Sequence, residues 1–216
     1  MTHNQPADLI CLADQWTKLW CRIRGTGDPL QLFCSIVDAY AEPPRAYHSL
    51  RHIETCLSEF RQSCQLCENP DEVEIALWFH DAVYNPRAND NEERSAEFAT
   101  TTLRESGLLN DFIRRTHDLI LATKHAAVPI ERDASVLVDI DLSIIGKPVK
   151  EFDDYERMIR EEYEWVPDEA FKAGRAKILR QFVKRPYIYS MEIFRSKYEV
   201  QARINLERSI RRLTKA

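Results

Sequence analysis

The chain has 216 residues, 44% hydrophobic and 30% charged, with 30 Lys+Arg against 35 Asp+Glu for a formal charge of −5. It is long enough to bury a sizeable core, and its mild acidity gives no general pull toward nucleic acid. Five glycines are too few for the many turns of an all-β chain, no glycine-rich phosphate loop occurs, and neither a membrane-spanning run nor a signal-peptide pattern is present, so the expectation is a soluble, cytoplasmic, helix-rich protein.

In chain order, the apolar spacing predicts helices over 8–22, 29–41 and 48–66. A fourth opens at Asn69-Pro70-Asp71-Glu72, with Asn69 as cap, Pro70 at the first helical position and Glu72 closing a capping box. Its apolar positions Val73, Ala76, Leu77, Val83 and Tyr84 carry it to the stop at Asn85-Pro86. Further helices are expected over 91–106, 109–124, 135–145, 151–164, 168–184 and 191–213. The segment Val136–Ile144 also alternates in part like a strand, but nothing else in the chain would pair with it. With no repeat, low-complexity stretch or flexible linker, one domain spanning 1–216 is the economical reading.

Six cysteines, at 11, 21, 34, 56, 64 and 67, lie in the first third. Free buried thiols are the default expectation for a cytosolic chain. Cys64 and Cys67 form one C-x-x-C with no second pair to complete a zinc site, so they read as half-buried thiols near a helix end.

Three histidines stand in chemically telling places. On a helix, His48 and His52 share one face, away from the stripe Leu50, Ile53, Leu57, Phe60; from spacing alone they could equally be a surface pair. His80 continues the inward stripe Val73–Leu77, and Asp81 lies beside it within Trp78-Phe79-His80-Asp81-Ala82-Val83-Tyr84. A buried Asp needs a partner, and a divalent ion would serve both side chains. Asp139 and Asp141 are carboxylates set into another apolar run. On a helix they point about 200° apart, so one ion cannot take both; on a strand they would share a face.

The words Tyr47-His48-Ser49-Leu50-Arg51-His52, His80-Asp81 and Asp139-Ile140-Asp141-Leu142 resemble the H…HD…D pattern of the HD superfamily of metal-dependent phosphohydrolases. Asp90-Asn91-Glu92-Glu93-Arg94-Ser95-Ala96, Ala122-Thr123-Lys124-His125, Pro167–Phe171 and Arg185–Tyr189 resemble a bacterial subgroup of predicted HD phosphohydrolases, over roughly residues 30 to 210. The resemblance implies an all-α, single-domain HD-type helical bundle, with an HD core over about 30–146 and C-terminal helices over 150–214. It makes His52, His80, Asp81 and one aspartate of the Asp139/Asp141 pair the metal ligands. Similar D-A-D-x-L words point to Asp141 and leave Asp139 to support it or to pack a helix. His48 stands where related phosphodiesterases keep the acid that protonates the leaving group. Glu92 or Glu93, with Glu93 preferred, stands where many HD hydrolases keep a water-positioning carboxylate. Lys124, Arg51 and His125 are the candidates to hold phosphate, although cations also favour helix C-termini.

Mixed imidazole and carboxylate ligation favours Mn, Fe, Co, Ni or Zn over Ca or Mg. The expected activity is hydrolysis of a phosphate ester, a nucleotide or another small phosphorylated metabolite, by metal-activated water. The alternatives are a di-iron oxygenase on the same fold, against which the scarcity of further ligands counts, and a ligand-binding module without catalysis. The basic helix Arg203–Lys215 is the sole feature favouring nucleic acid, and the acidic chain as a whole disfavours it.

Overall fold

A computed structural model describes residues 8–43 and 45–215. Among them there are ten α-helices and no strand, so the all-α expectation holds and 135–145 is helical. No described helix is long and apolar enough to cross a membrane. The chain forms two compact units, the first ending at Leu137 and the second beginning at Val138.

The first unit is built on α1 (Leu9–Ile23), α2 (Pro29–Tyr40), α3 (Leu50–Ser63), α4 (Pro70–Phe79), α5 (Asn91–Glu105) and α6 (Asn110–Ala122), and α7 (Arg132–Asp141) begins in it. Helix α4 is its axis. Every residue from Glu72 to Phe79 is buried, because α1, α3, α5 and α6 all pack on it, and a helix apolar all round must be covered all round. Trp16 of α1 stacks on Trp20 and meets Trp78 of α4 edge to face, at centroid distances of 5.3 and 5.4 Å. Its indole N–H donates to the Pro29 carbonyl at 2.8 Å. Asp28 caps α2 by accepting from Leu30 N at 2.9 Å, with Pro29 in the first turn.

Five expectations are corrected here. Helix α4 ends at Phe79 rather than running to Tyr84, because side chains of α5 take the backbone groups that a longer helix would use. Ser95 Oγ receives Val83 N–H at 3.0 Å and donates to its carbonyl at 3.2 Å, and Asn91 pairs likewise with the Asn85 backbone at 2.9 and 3.0 Å. Helix α3 starts at Leu50, behind an extended Ser49, so His48 lies outside it. Asn69 makes no side-chain cap; Asp133 instead accepts from Glu68 N and Asn69 N at 2.7 and 2.9 Å. Glu72 closes no capping box and is held by Arg115 through two bonds of 2.7 and 2.6 Å. The cysteines are free, but only Cys56 is buried among the six; Cys11, Cys21 and Cys34 are exposed. Cys64 and Cys67 are half-buried at the 3-10 turn ending α3, as expected.

The second unit holds the end of α7, a 3-10 turn (Leu142–Gly146), α8 (Val149–Glu162), α9 (Asp168–Val183) and α10 (Glu192–Leu213). Helix α10 packs on α9 and on the 3-10 turn. Asn205 donates to the carbonyls of Ile145 and Lys147 at 2.9 and 2.8 Å, and Tyr189 OH donates to that of Leu142 at 3.1 Å. The loop between α9 and α10 is held by α10 itself: Arg203 donates to the Arg185 and Pro186 carbonyls at 3.0 and 2.9 Å. Glu199 accepts from Ile188 N at 3.0 Å.

Gly146 lies so close to α10 that a Cβ there would stand 2.5 Å from Tyr198 Cβ and 2.9 Å from its carbonyl oxygen, whereas a Cβ on Gly174, inside α9, would meet nothing within 4 Å. Gly146→Ala is therefore expected to cost about 1–3 kcal/mol by overpacking. Gly174→Ala is expected to add about 0.4–1 kcal/mol by restricting the unfolded chain. Chemical denaturation of the two variants beside the parent measures both signs.

Candidate metal centre

The end of α4 is where the chemistry gathers. His80 is the C-cap of α4 and its N–H bonds to the Ala76 carbonyl at 2.9 Å. Its Nδ1 lies 3.0 Å from the Leu77 carbonyl. A carbonyl only accepts, so Nδ1 carries the proton and the Nε2 lone pair faces inward. Because the helix stops here, Asp81 is free of helical geometry and turns its carboxylate back to the same point.

From α3, His52 brings its ring into this corner. His52 Nε2 lies 3.1 Å from His80 Nε2, Asp81 Oδ2 lies 3.1 Å from His80 Nε2, and Asp81 Oδ2 lies 3.5 Å from His52 Nε2. Neighbouring ligands about 2.0–2.2 Å from one ion stand roughly 3.0–3.5 Å apart. The three donors have that spacing. Both histidines are buried, with His80 only 1% exposed. Cys56 adds a sulfur, 3.7 Å from each ring nitrogen of His52; the donor atoms of His52, Cys56 and His80 lie within 4.8 Å of one another. His52, Cys56 and His80 thus form a buried group that could hold a metal ion, with the Asp81 carboxylate beside the two imidazoles. Burial opposes the charge on Asp81, but His80 and His48 outweigh it and hold the carboxyl well below the usual carboxylate range.

His48 stands beside this group although it is not on α3. Its ring stacks on Tyr84 at 4.2 Å and its centroid is 6.3 Å from that of His52. Arg45 fixes the segment. It donates to the carbonyls of His48, Asp81 and Ala82 at 2.9, 2.7 and 2.9 Å, and its guanidinium lies over the rings of Tyr40 and Tyr84. One cation thus ties the strand of chain before α3 to the turn after α4.

The remaining candidates lie on other elements or at other positions of the chain. Glu93, in the first turn of α5, is paired with Lys124, which also donates to the Asn89 carbonyl at 3.1 Å. The Lys124 ammonium holds the Glu93 carboxyl below its ordinary range. His125 follows in a left-handed conformation, φ 55°. Arg51 points to solvent from the outer face of α3 and pairs with Glu54. Sequence reasoning missed Arg45 and Cys56. The first has no pattern to reveal it; the second lies four residues after His52, a spacing that places both on one helical face.

The two aspartates of α7 separate as a helix requires. Asp141 is the half-buried last residue of α7. Asp139, fully buried, accepts from Ser190 N and Met191 N at 2.8 and 2.7 Å, just ahead of α10. Burial there outweighs the two N–H bonds and pushes its carboxyl up to about 7. Asp139 is a helix-packing carboxylate. Asp139→Ala would strand two part-buried N–H groups, each costing up to about 1–3 kcal/mol. The expected result is a large fall in thermal stability with metal stoichiometry unchanged, read by calorimetry and elemental analysis.

No family model, no curated protein and no solved structure matches this chain.

Proposed function

We propose that the protein is a metal-dependent phosphohydrolase acting on a nucleotide or another small phosphorylated metabolite. The observation that carries this reading is the convergence of His52 Nε2, His80 Nε2 and Asp81 Oδ2 at 3.1–3.5 Å, with His80 already committed through Nδ1 to a backbone carbonyl. Such a second bond is what orients metal-ligating histidines. We assign one divalent transition-metal ion to His52, His80 and Asp81. When bound, it supplies a Lewis acid for the phosphoryl oxygen and an acidified water.

The chain's own groups do the rest. His48 gives a proton to the departing ester oxygen, its ring steadied by Tyr84 and its backbone by Arg45. Glu93 orients the attacking water, and Lys124, which holds it, neutralises phosphate charge together with His125. Arg51, paired with Glu54 on an exposed face, receives no role.

The test assays nucleoside mono-, di- and triphosphates, cyclic nucleotides and sugar phosphates with Mn, Co, Ni and Zn. At least one should release phosphate or nucleoside, and inactivity of the whole panel at every metal loading overturns the reading. His52→Ala is expected to lose metal and turnover together. His48→Ala should keep its metal while turnover falls by about 10²–10⁴. Metal loss in His48→Ala would remove its assignment as the acid.

A further inference from the structure

We propose that Cys56 is a further ligand of this centre, so that the site prefers thiophilic ions such as zinc, cobalt(II) and iron(II) to magnesium or manganese. The inference rests on the metal-hydrolase reading and narrows it to a chemical class of metal. The H…HD…D set contains no sulfur, so the property would belong to this chain's own residues.

Cys56 is one helical turn beyond His52 on α3 and therefore on the same face. Its thiol is 1% exposed, and Sγ lies 3.7 Å from His52 Nε2. An ion about 2.3 Å from sulfur and ~2.1 Å from nitrogen separates neighbouring donors by roughly 3.1–3.6 Å, depending on the angle at the ion. The observed distance is close to this, and because Sγ is also 3.7 Å from Nδ1, the sulfur must turn toward the Nε2 side of the ring to ligate. The His80 donor atom lies within 4.8 Å of both, close enough for the three to share one ion. On binding, the Sγ–H bond breaks, the proton passes to solvent and the sulfur electron pair goes to the ion; nothing is oxidised. A thiolate among imidazoles and carboxylate selects softer cations, because hard Mg and Mn favour oxygen ligands.

Cobalt(II) uptake by the full chain tests this without reference to turnover. The cobalt-loaded protein should show a near-ultraviolet sulfur-to-cobalt charge-transfer band. Cys64 and Cys67 are half-buried thiols outside this group, so the double variant Cys64→Ser/Cys67→Ser should keep the band. Cys56→Ser and Cys56→Ala should both lose it while retaining the helical circular dichroism of the parent. Competition titrations should show zinc affinity falling on the order of tenfold or more in Cys56→Ser, with manganese affinity changed less than about twofold. Stoichiometric cobalt binding without the band, or a band that survives in both Cys56 variants, overturns the role of Cys56 and leaves the hydrolase reading intact. Failure of the parent to take up any transition metal overturns both.

Discussion

The hydrogen bond between His80 Nδ1 and the Leu77 carbonyl governs what the buried donors can do. It exists because α4 ends inside the protein, where the carbonyls of its last turn have no water to meet. By fixing the imidazole proton on one side, it leaves the opposite nitrogen electron-rich and aimed at His52 and Asp81. Two ring nitrogens and a carboxylate oxygen converging in a low-dielectric corner need positive charge among them. A single shared proton or a metal cation meets that need, and only the second serves all three donors at once.

The same economy of buried charge runs through the first unit. Glu72 and Glu74 lie on the enclosed helix α4, and each reaches an arginine from a neighbouring helix, Arg115 and Arg22 respectively. Burial still pushes the Glu74 carboxyl above its ordinary range. In the second unit Arg175 is buried against Glu156 and Tyr155, and Glu156 also accepts from Ser209. These clusters are ionic and self-contained. The group around His80 differs because its partners to Asp81 are imidazoles, which are neutral or charged according to what else is present.

Much of this architecture was legible in the sequence, and the parts that were not share a cause. Helix positions followed from apolar spacing and from punctuation such as Asp28-Pro29, because these act within a few residues of chain. The failures were places where a distant group replaced a local one. Asn69 has the right chemistry to cap α4, yet Asp133 supplies the acceptors near that end. Val83 and Tyr84 continue the helical pattern of α4, yet Ser95 and Asn91 draw the backbone away from it. The need for a shared partner was readable for His80 and Asp81, His52 joined them only through the resemblance of its sequence word, and Arg45 was not readable at all, since its bonds go to main-chain oxygens. That α7 is helical separated Asp139 from Asp141, as the 200° rule demands.

Those main-chain bonds of Arg45 have a consequence for how the site can vary. A guanidinium that holds the carbonyls of residues 48, 81 and 82 is blind to the side chains those residues carry. Its planar fork and the two tyrosine rings set the geometry, and lysine, a single point charge, lacks that fork. The frame is thus separable from the chemistry mounted on it. Side chains at positions 48, 81 and 82 can therefore be exchanged without removing the bonds that hold their backbone in register.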